Sequence, residues 1–424
     1  MASLDPNQRK HEEARTILIR ILDAGHQAMF AGGCVRDRIL NLTPSDFDIA
    51  SSAKPEEIIQ IFRKSSFSVI PTGVDHGTVT VVGKYSSTEI TSLRRDVDTD
   101  GRKAVVEFGA SFEDDSKRRD FTINAMYEDI HGQIFDFHGG REDLAKNHLR
   151  FVGDPHQRIK EDYLRQLRMV RFISKFGFDV DEETTAAVSA HVSGLKQISQ
   201  ERITSELWKI LEGRHLKNAL SCLVNTGIFG EIFKEFSNPT SPLISTLHLL
   251  QHPHFDSKYT AQLRLAFLLT ELSEDSSDRT QILTFLKSLR ISGEELKRVL
   301  GFRDLLRAPP LQSRDEIMGF LDSIEDSKIP LSSLGDLKES LERLSYKNHL
   351  SALTTCEETY GYLRKKRPPL TGDDLMKEFQ LRPGRDLGLI LDKLKSAFRR
   401  GEWAEAKEGL SLAKSILDDS TKPK

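Results

Sequence analysis

The chain has 424 residues, a formal net charge of −3 and 29% charged residues, a length that calls for two to four domains of about 100–200 residues each. A mean hydropathy of −0.41 and the lack of any apolar run of roughly 18 residues exclude a membrane-spanning helix, and no membrane partner is expected. The slightly acidic balance excludes a uniformly basic nucleic-acid binder but leaves room for local basic surfaces, and Cys34, Cys222 and Cys356 are too far apart for a disulfide framework or a zinc pattern.

The N-terminal stretch MASLDPNQRKHEEARTILIR is charged and amphipathic, without the apolar core and cleavage site of a secretory leader, so a cytoplasmic protein is expected. Apolar spacing over 13–25 is helical and Gly25 closes it, ahead of AMFAGG, which reads as a short buried strand. The segments DFDIAS, FSVIPTG, GTVTVVGKY, TEITSLR and KAVVEF are rich in Val, Ile, Thr and Phe and separated by Gly, Asp or Ser turns, which predicts a mixed or antiparallel sheet. Between two of them, KPEEIIQIFRK opens with Pro55 and puts Ile58, Ile61 and Phe62 on one side, a helix that packs on the sheet. Beyond about residue 155 the strand signals stop. Amphipathic helices are expected at 158–176, 182–192, 201–213, 216–224, 259–271, 279–289 and 294–306. The fold class is therefore α+β: a head at 1–150, then an all-α neck at 151–215, body at 216–310 and tail at 311–424. Turn-rich stretches at 237–243 and 307–314 are the candidate joints, and RKKR at 364–367 and KLKSAFRR at 393–400 are local basic clusters.

Chemistry concentrates first in AGGCVRDRILNLTPSDFDI, residues 31–49. Asp46 and Asp48 stand at i and i+2 in a stretch that reads as a strand, so both side chains project to one face. Such a pair suits Mg²⁺, which takes one or two carboxylates together with substrate phosphates; two ions activate an attacking hydroxyl and neutralise a leaving pyrophosphate. Gly32 and Gly33, between a strand and a helix, let backbone N–H groups approach phosphate oxygens, and Arg36 in the first turn reaches the same triphosphate through charge-assisted bonds. Taken alone, D-x-D also serves turns and caps, and a glycine pair also serves a tight turn.

Together, GGCVRD and SDFDI resemble the signature of the polymerase-β nucleotidyltransferase superfamily, in the group that holds class II CCA-adding tRNA nucleotidyltransferases and bacterial poly(A) polymerases. KRRDFTINAMYED at 117–129 is similar to that group's R-R-D-x-T-x-N-A motif. The resemblance implies that Arg118 and Arg119 grip the triphosphate, that Asp120 accepts from the ribose 2′-hydroxyl, and that Asp37 and Asn124 belong to the same nucleotide site. EDYLRQLRMVRF at 161–172 is similar to the E-D-x-x-R motif, with Tyr163 where proline is common. Read as one helix, it makes Asp162 and Arg165 neighbours and continues their face through Arg168 and Arg171. Cytosine and adenine both present an amine donor beside an unprotonated ring nitrogen, whereas uracil and guanine present a carbonyl beside N–H. A carboxylate paired with a guanidinium therefore accepts C and A and rejects U and G without a nucleic-acid template, and the resemblance gives that role to Asp162 and Arg165, with Arg168 and Arg171 touching the nucleotide.

Further resemblances place Glu89 as a third active-site carboxylate, residues 93–108 as a flexible loop that helps the site switch from C to A, and ERITSELWKIL at 201–211 as a structural helix. LTGDDLMKEFQLRPGRDLGLILDKL at 370–394 resembles the RNA-binding end of class II enzymes. RNA contacts are expected from Arg382 and Arg385 there and from the basic run Arg364, Lys365, Lys366 and Arg367. LRLAFLLTELSED stands where some relatives carry a His-Asp dyad, so no second hydrolase is expected, and HPH at 252–254 reads as a loop. The implied activity is addition of C, C and A to the tRNA 3′ end, using CTP and ATP with two Mg²⁺ ions, without an obligatory protein partner. Alternatives are an A-adding-only enzyme, a bacterial poly(A) polymerase, or a noncatalytic tRNA-binding protein on the same fold. VIPTGVDHGTVTVV at 69–82 resembles the CCA type rather than the poly(A) type. Retention of both aspartates and the arginine motifs disfavours the noncatalytic reading.

Overall fold

The computed structural model describes residues 5–74, 77–99, 104–237, 239, 259–273, 279–308, 311, 313–329, 338, 354, 368–400 and 402–420. The chain forms two compact units, Met1–Asn238 and Pro239–Lys424. The division falls inside the turn-rich stretch 237–243.

The first unit opens with helix α1 (Pro6–Asp23), which starts earlier than the apolar spacing indicates because Asp5 and Gln8 cap it reciprocally. Ala14, Ile17, Leu18 and Ile21 are its buried face, at helical spacing. The main sheet then takes strands β1 (Ala28–Ala31), β2 (Ile49–Ser51), β3 (Ser68–Gly73), β4 (Thr78–Val82) and β5 (Ser87–Ser92), with α2 (Gly33–Ile39) and α3 (Pro55–Phe62) between them. Strands β8 (Met126–Glu128) and β9 (Ile134–Asp136) complete it. Among the described residues the order is β3-β4-β5-β2-β1-β8-β9. Among the described strands of this sheet only β2 and β5 run parallel, in the register Ile49 to Ile90, so the sheet is mixed as expected. Ile58 and Phe62 of α3 are buried.

Within residues 93–108, expected as a flexible loop that ends in the strand KAVVEF, two strands pair. Strands β6 (Arg94–Thr99) and β7 (Ala104–Phe108) pair antiparallel in a sheet of their own, Arg94 opposite Phe108. RRDVDT is charged at most positions, which hides strand periodicity in the sequence although backbone pairing needs no apolar face. Strands β8 and β9 escaped notice for a similar reason, since MYE lies inside a charged motif and each is three residues long.

Helices α4 (Phe112–Lys117) and α5 (Gly140–Ala145) finish the sheet-bearing part. The chain continues as α6 (Pro155–Glu161), α7 (Arg165–Phe176), α8 (Glu182–His191), α9 (Gln200–Glu212), α10 (Leu216–Asn225) and α11 (Ile228–Ile232). Phe121 joins sheet to helices, stacking on Phe151 at 4.7 Å and meeting Phe172 of α7 edge-on at 5.4 Å. The expected single helix over 158–176 is broken: Asp162 caps α6 in an extended conformation and α7 starts afresh at Arg165.

In the second unit, α12 (Thr260–Leu272) buries ten consecutive residues, Ala261 to Thr270, as a helix at the centre of a core does. Around it follow α13 (Arg279–Ser288), α14 (Gly293–Arg307) and α15 (Arg314–Asp326). Near the C-terminus α16 (Gly372–Phe379), α17 (Arg385–Arg400) and α18 (Ala406–Ser420) enclose Leu375, Ile390, Leu394 and Trp403, and the Trp403 indole N–H donates to the Leu394 carbonyl at 2.9 Å. Among the described residues no helix is long and apolar enough to cross a membrane.

Candidate active site

A cleft of about 1350 Å³ lies in the first unit. Asp46 and Asp48 line it from the loop that leads into β2 rather than from the strand itself. The alternation still holds: both aspartates face out, while Phe47 and Ile49 are buried. Phe47 is wedged against Phe30 at 5.9 Å and His11 at 5.2 Å, and Ala31 N–H donates to the Asp48 carbonyl at 2.9 Å. One buried ring and one backbone bond thus set two carboxylates on one face. Glu89, exposed on β5, lines the same cleft. Enclosure in the cleft, then the negative charges of Glu89 and Asp46, push Asp48 up to about 6 against the pull of Arg119. Oxygen donors that repel one another are the set a hard divalent cation fits; among the described residues no three such groups converge into a closed cage.

Gly32 follows β1 with φ 73°, and a Cβ there would stand 2.8 Å from the Arg119 guanidinium, so both conformation and space require glycine. Arg119 reaches the Asn124 carbonyl at 3.2 Å, the Tyr127 hydroxyl at 3.1 Å and Asp115 at 3.3 Å, while Arg118 bridges to Asp115 at 2.7 Å. Burial pushes the Asp115 carboxyl up, but the two guanidiniums and the Tyr127 hydroxyl hold it below its usual range. Arg36 is itself buried: Asp37 takes its Nε and Nη2 at 2.8 and 2.6 Å, Asn124 takes Nη1 at 2.6 Å, and Phe172 and Phe176 lie beneath it at 5.3 and 4.9 Å.

Asp120 is committed within the protein. Oδ1 accepts from Phe121 N–H at 2.8 Å and from the Asn124 amide at 3.1 Å, and Oδ2 accepts from Arg168 Nε at 2.7 Å and Nη2. Despite burial, Arg168 and these donors hold its carboxyl down at about 2. The chain of bonds Asp37–Arg36–Asn124–Asp120–Arg168 therefore runs from α2 to α7.

The break between α6 and α7 separates Asp162 from Arg165, which the sequence reading put on one helix. Both line the cleft. Asp162 accepts from Leu164 N–H at 3.1 Å and from Arg202 of α9 at 2.7 Å, whereas Arg165 donates to Glu161 at 2.7 Å and to the carbonyls of Arg158 and Arg118, each at 2.9 Å. Three of the five guanidinium N–H groups are engaged and two are left. Arg171 pairs with buried Glu206 at 3.0 Å.

Residues 28–150 match the poly A polymerase head domain, and residues 177–238 match the probable RNA and SrmB-binding site of polymerase A. A CCA-adding enzyme of Lacticaseibacillus paracasei is 33% identical over 422 residues, covering 98% of this chain and 99% of that one. The chain belongs to the CCA-adding enzyme family. The CCA-adding enzyme of Bacillus subtilis is 36% identical across 69% of this chain and 71% of its own length. The crystal structure of the Bacillus stearothermophilus CCA-adding enzyme in complex with CTP superposes with a TM-score of 0.67 at 27% identity, over 98% of this chain and all of that one.

All fifteen head and neck residues named from the sequence, by their chemistry or by the resemblance, from Gly32 to Arg171, line this one cleft. Of the expected RNA contacts, Arg364, Lys365, Lys366 and Arg367 lie outside the described residues, as do HPH and Cys356; Arg382 is exposed just ahead of α17, and Arg385 is its first residue. Sequence reasoning missed Asp115, Tyr127, Arg202 and Glu206. Asp115 had a local signal, three and four residues before the arginine pair on a helical stretch. Arg202 and Glu206 had none, because their partners are forty and thirty-five residues away in sequence.

Proposed function

We propose that this chain completes the 3′ end of tRNA by adding C, C and A from CTP and ATP, with residues 1–150 carrying the chemistry and residues 151–215 choosing the base. Asp162 and Arg165 bear most of this reading, since a carboxylate and a guanidinium with spare bonding capacity face the cleft that holds Asp46 and Asp48. Asp162 accepts from the exocyclic amine of C or A and Arg165 donates to the ring nitrogen beside it; U and G meet like against like and leave buried groups unpaired. The Gly32–Gly33 turn brings backbone against the triphosphate, and Arg36, Arg118, Arg119, Arg168 and Arg171 supply the charge around it. Asp46 and Asp48 would hold divalent cations, which we take to be two Mg²⁺ ions; when bound they activate the RNA 3′-hydroxyl and neutralise the leaving pyrophosphate. The RNA 3′-oxygen displaces pyrophosphate from the α-phosphorus in line.

Purified protein incubated with tRNA transcripts lacking CCA, ending in CC, or complete, each with CTP or ATP and Mg²⁺, tests the proposal. Addition of C only to the first, of A to the second and of nothing to the third is expected. A addition alone would replace it with an A-adding enzyme, long A tails on unrelated RNA with a poly(A) polymerase, and no incorporation with a binding protein.

A further inference from the structure

Helix α1 lies ahead of the segment that matches the head domain, which begins at residue 28, yet two of its side chains reach segments that bear cleft carboxylates. The first is His11. Its ring packs on Phe47 at 5.2 Å and on Phe30 at 5.9 Å, and Phe47 is the residue between Asp46 and Asp48. Arg38 of α2 fixes that ring, with Nη1 3.4 Å from His11 Nε2 and 2.7 Å from Glu128 of β8. A guanidinium can only donate, so His11 accepts at Nε2 and is neutral; burial and then the Arg38 charge keep its pKa below the ordinary histidine value. Leu42 and Thr43 line the cleft and also a second cavity of about 440 Å³, which His11, Arg38 and Phe47 share. The loop that carries Asp46 thus has a hollow on either side, and the His11 ring keeps Phe47 from receding into the second one.

The second is Glu13. Its Oε1 accepts from Lys84 N–H at 2.7 Å, and its Oε2 accepts from Tyr85 N–H at 2.9 Å, Ser86 N–H at 2.8 Å and the Ser86 hydroxyl at 3.1 Å. A Cβ on Gly83 would collide with the Glu13 carboxyl, so the turn between β4 and β5 is shaped around this one carboxylate. Gly83 N–H closes the turn on the Ser86 carbonyl at 2.8 Å. Three residues beyond Ser86, Glu89 enters the cleft. The parallel register of β2 and β5 pairs Ile49 with Ile90, and side chains alternate along a strand, so Asp48 and Glu89, each one residue earlier, stand beside each other. Any slip of the turn carries Glu89 with it and changes the spacing of the two carboxylates.

We propose that His11 and Glu13 are positioning residues for the cleft carboxylates: His11 sets the Asp46 and Asp48 pair through Phe47, and Glu13 sets Glu89 through the β4–β5 turn, so that one helix fixes all three against one another for a divalent cation. The proposal rests on the function proposed above. Groups at such a site have to be held within about 0.5 Å by supporting side chains, and here that support comes from a helix outside the stretch that resembles the head domain.

Full-length His11→Ala, His11→Phe, Glu13→Ala and Glu13→Gln are compared with the wild type and with Ile17→Val, which thins the buried face of α1 without touching either segment. The readouts are thermal melting, binding of Mn²⁺ without nucleotide by loss of the free-ion electron paramagnetic resonance signal, and steady-state addition of C. His11→Ala and Glu13→Ala should weaken Mn²⁺ binding about 10-fold, as loss of a residue that orients metal ligands does. Their kcat should fall about 10-fold, since about 1 Å of misplacement can cost about 100-fold, with the KM for CTP within about 2-fold. His11→Phe keeps a ring against Phe47 and should restore both values to within about 2-fold. Glu13→Gln keeps one acceptor and should fall between wild type and Glu13→Ala. Ile17→Val should melt lower with Mn²⁺ affinity and kcat unchanged. If an alanine variant does not fold, His11→Asn and Glu13→Gln carry the same prediction. Unchanged Mn²⁺ affinity and kcat in variants that melt lower would leave His11 and Glu13 purely structural, equal losses in Ile17→Val would trace the effect to general stability, and a raised KM for CTP with unchanged Mn²⁺ affinity would place the effect on the nucleotide; each overturns the proposal, as does a wild type that binds no Mn²⁺. If the wild type adds no nucleotide, the parent function fails while Mn²⁺ binding still decides the positioning.

Discussion

Asp120→Asn separates two roles for one carboxylate. In the structure Asp120 holds Arg168 against the cleft wall through Nε and Nη2 and closes the turn at Phe121 and Asn124. Its carboxyl is depressed from 3.8 to about 2; at about 1.4 kcal/mol for each pH unit, this corresponds to about 2 kcal/mol of folding stability. A carboxyl depressed on folding stabilises fully above its unfolded value and loses that contribution as pH falls from about 4 toward 2. The amide keeps one acceptor for Phe121 and Asn124 but turns N–H against the guanidinium, so the loss should stay below the roughly 3–5 kcal/mol of an abandoned buried charge. Urea unfolding should show Asp120→Asn about 2 kcal/mol less stable at pH 7, with the gap narrowing below pH 4, and kcat/KM for CTP should fall because Arg168 is released. Unfolding free energies within about 0.5 kcal/mol of each other, together with a selective gain in dCTP use, would refute this reasoning and return Asp120 to the 2′-hydroxyl.

Asp48→Ala should abolish addition of both C and A while leaving the melting temperature within a few degrees, measured by single-turnover incorporation and calorimetry. Gly32→Ala forces a side chain to φ 73° against Arg119; about 1–3 kcal/mol of strain should appear as a lower denaturation midpoint and raised KM for both nucleotides. Asp162→Ala should let UTP compete with CTP, read as the ratio of kcat/KM values. Arg202→Met frees one Asp162 oxygen from its 2.7 Å partner and should erode the same ratio by less than Asp162→Ala, since the Leu164 bond remains.

Local chemistry was legible in the sequence. Periodicity located α1, α3, α8, α9 and α10, because helical burial repeats within a few residues, but it fused α6 with α7 and passed over the short α4, α5 and α11; the motif residues named from the sequence converge on one cleft. Strands β6 and β8 were not legible, since charged residues pair backbones as well as apolar ones and leave no alternation to read. Within the site, residue types and spacing identified the groups but not their partners. Asp120 reads as a free acceptor in sequence and is bound to Arg168 in space. Asp162 and Arg165 read as helical neighbours and are parted by a helix break, one held by Arg202 and the other by Glu161. Sequence by itself determined which side chains could bind metal, phosphate and base, because those capacities belong to the residue types. Only the tertiary structure decided which bonds are already taken, because Arg202, Glu206 and Ser174 reach their partners across thirty-five or more residues of chain, and no local pattern records such a meeting.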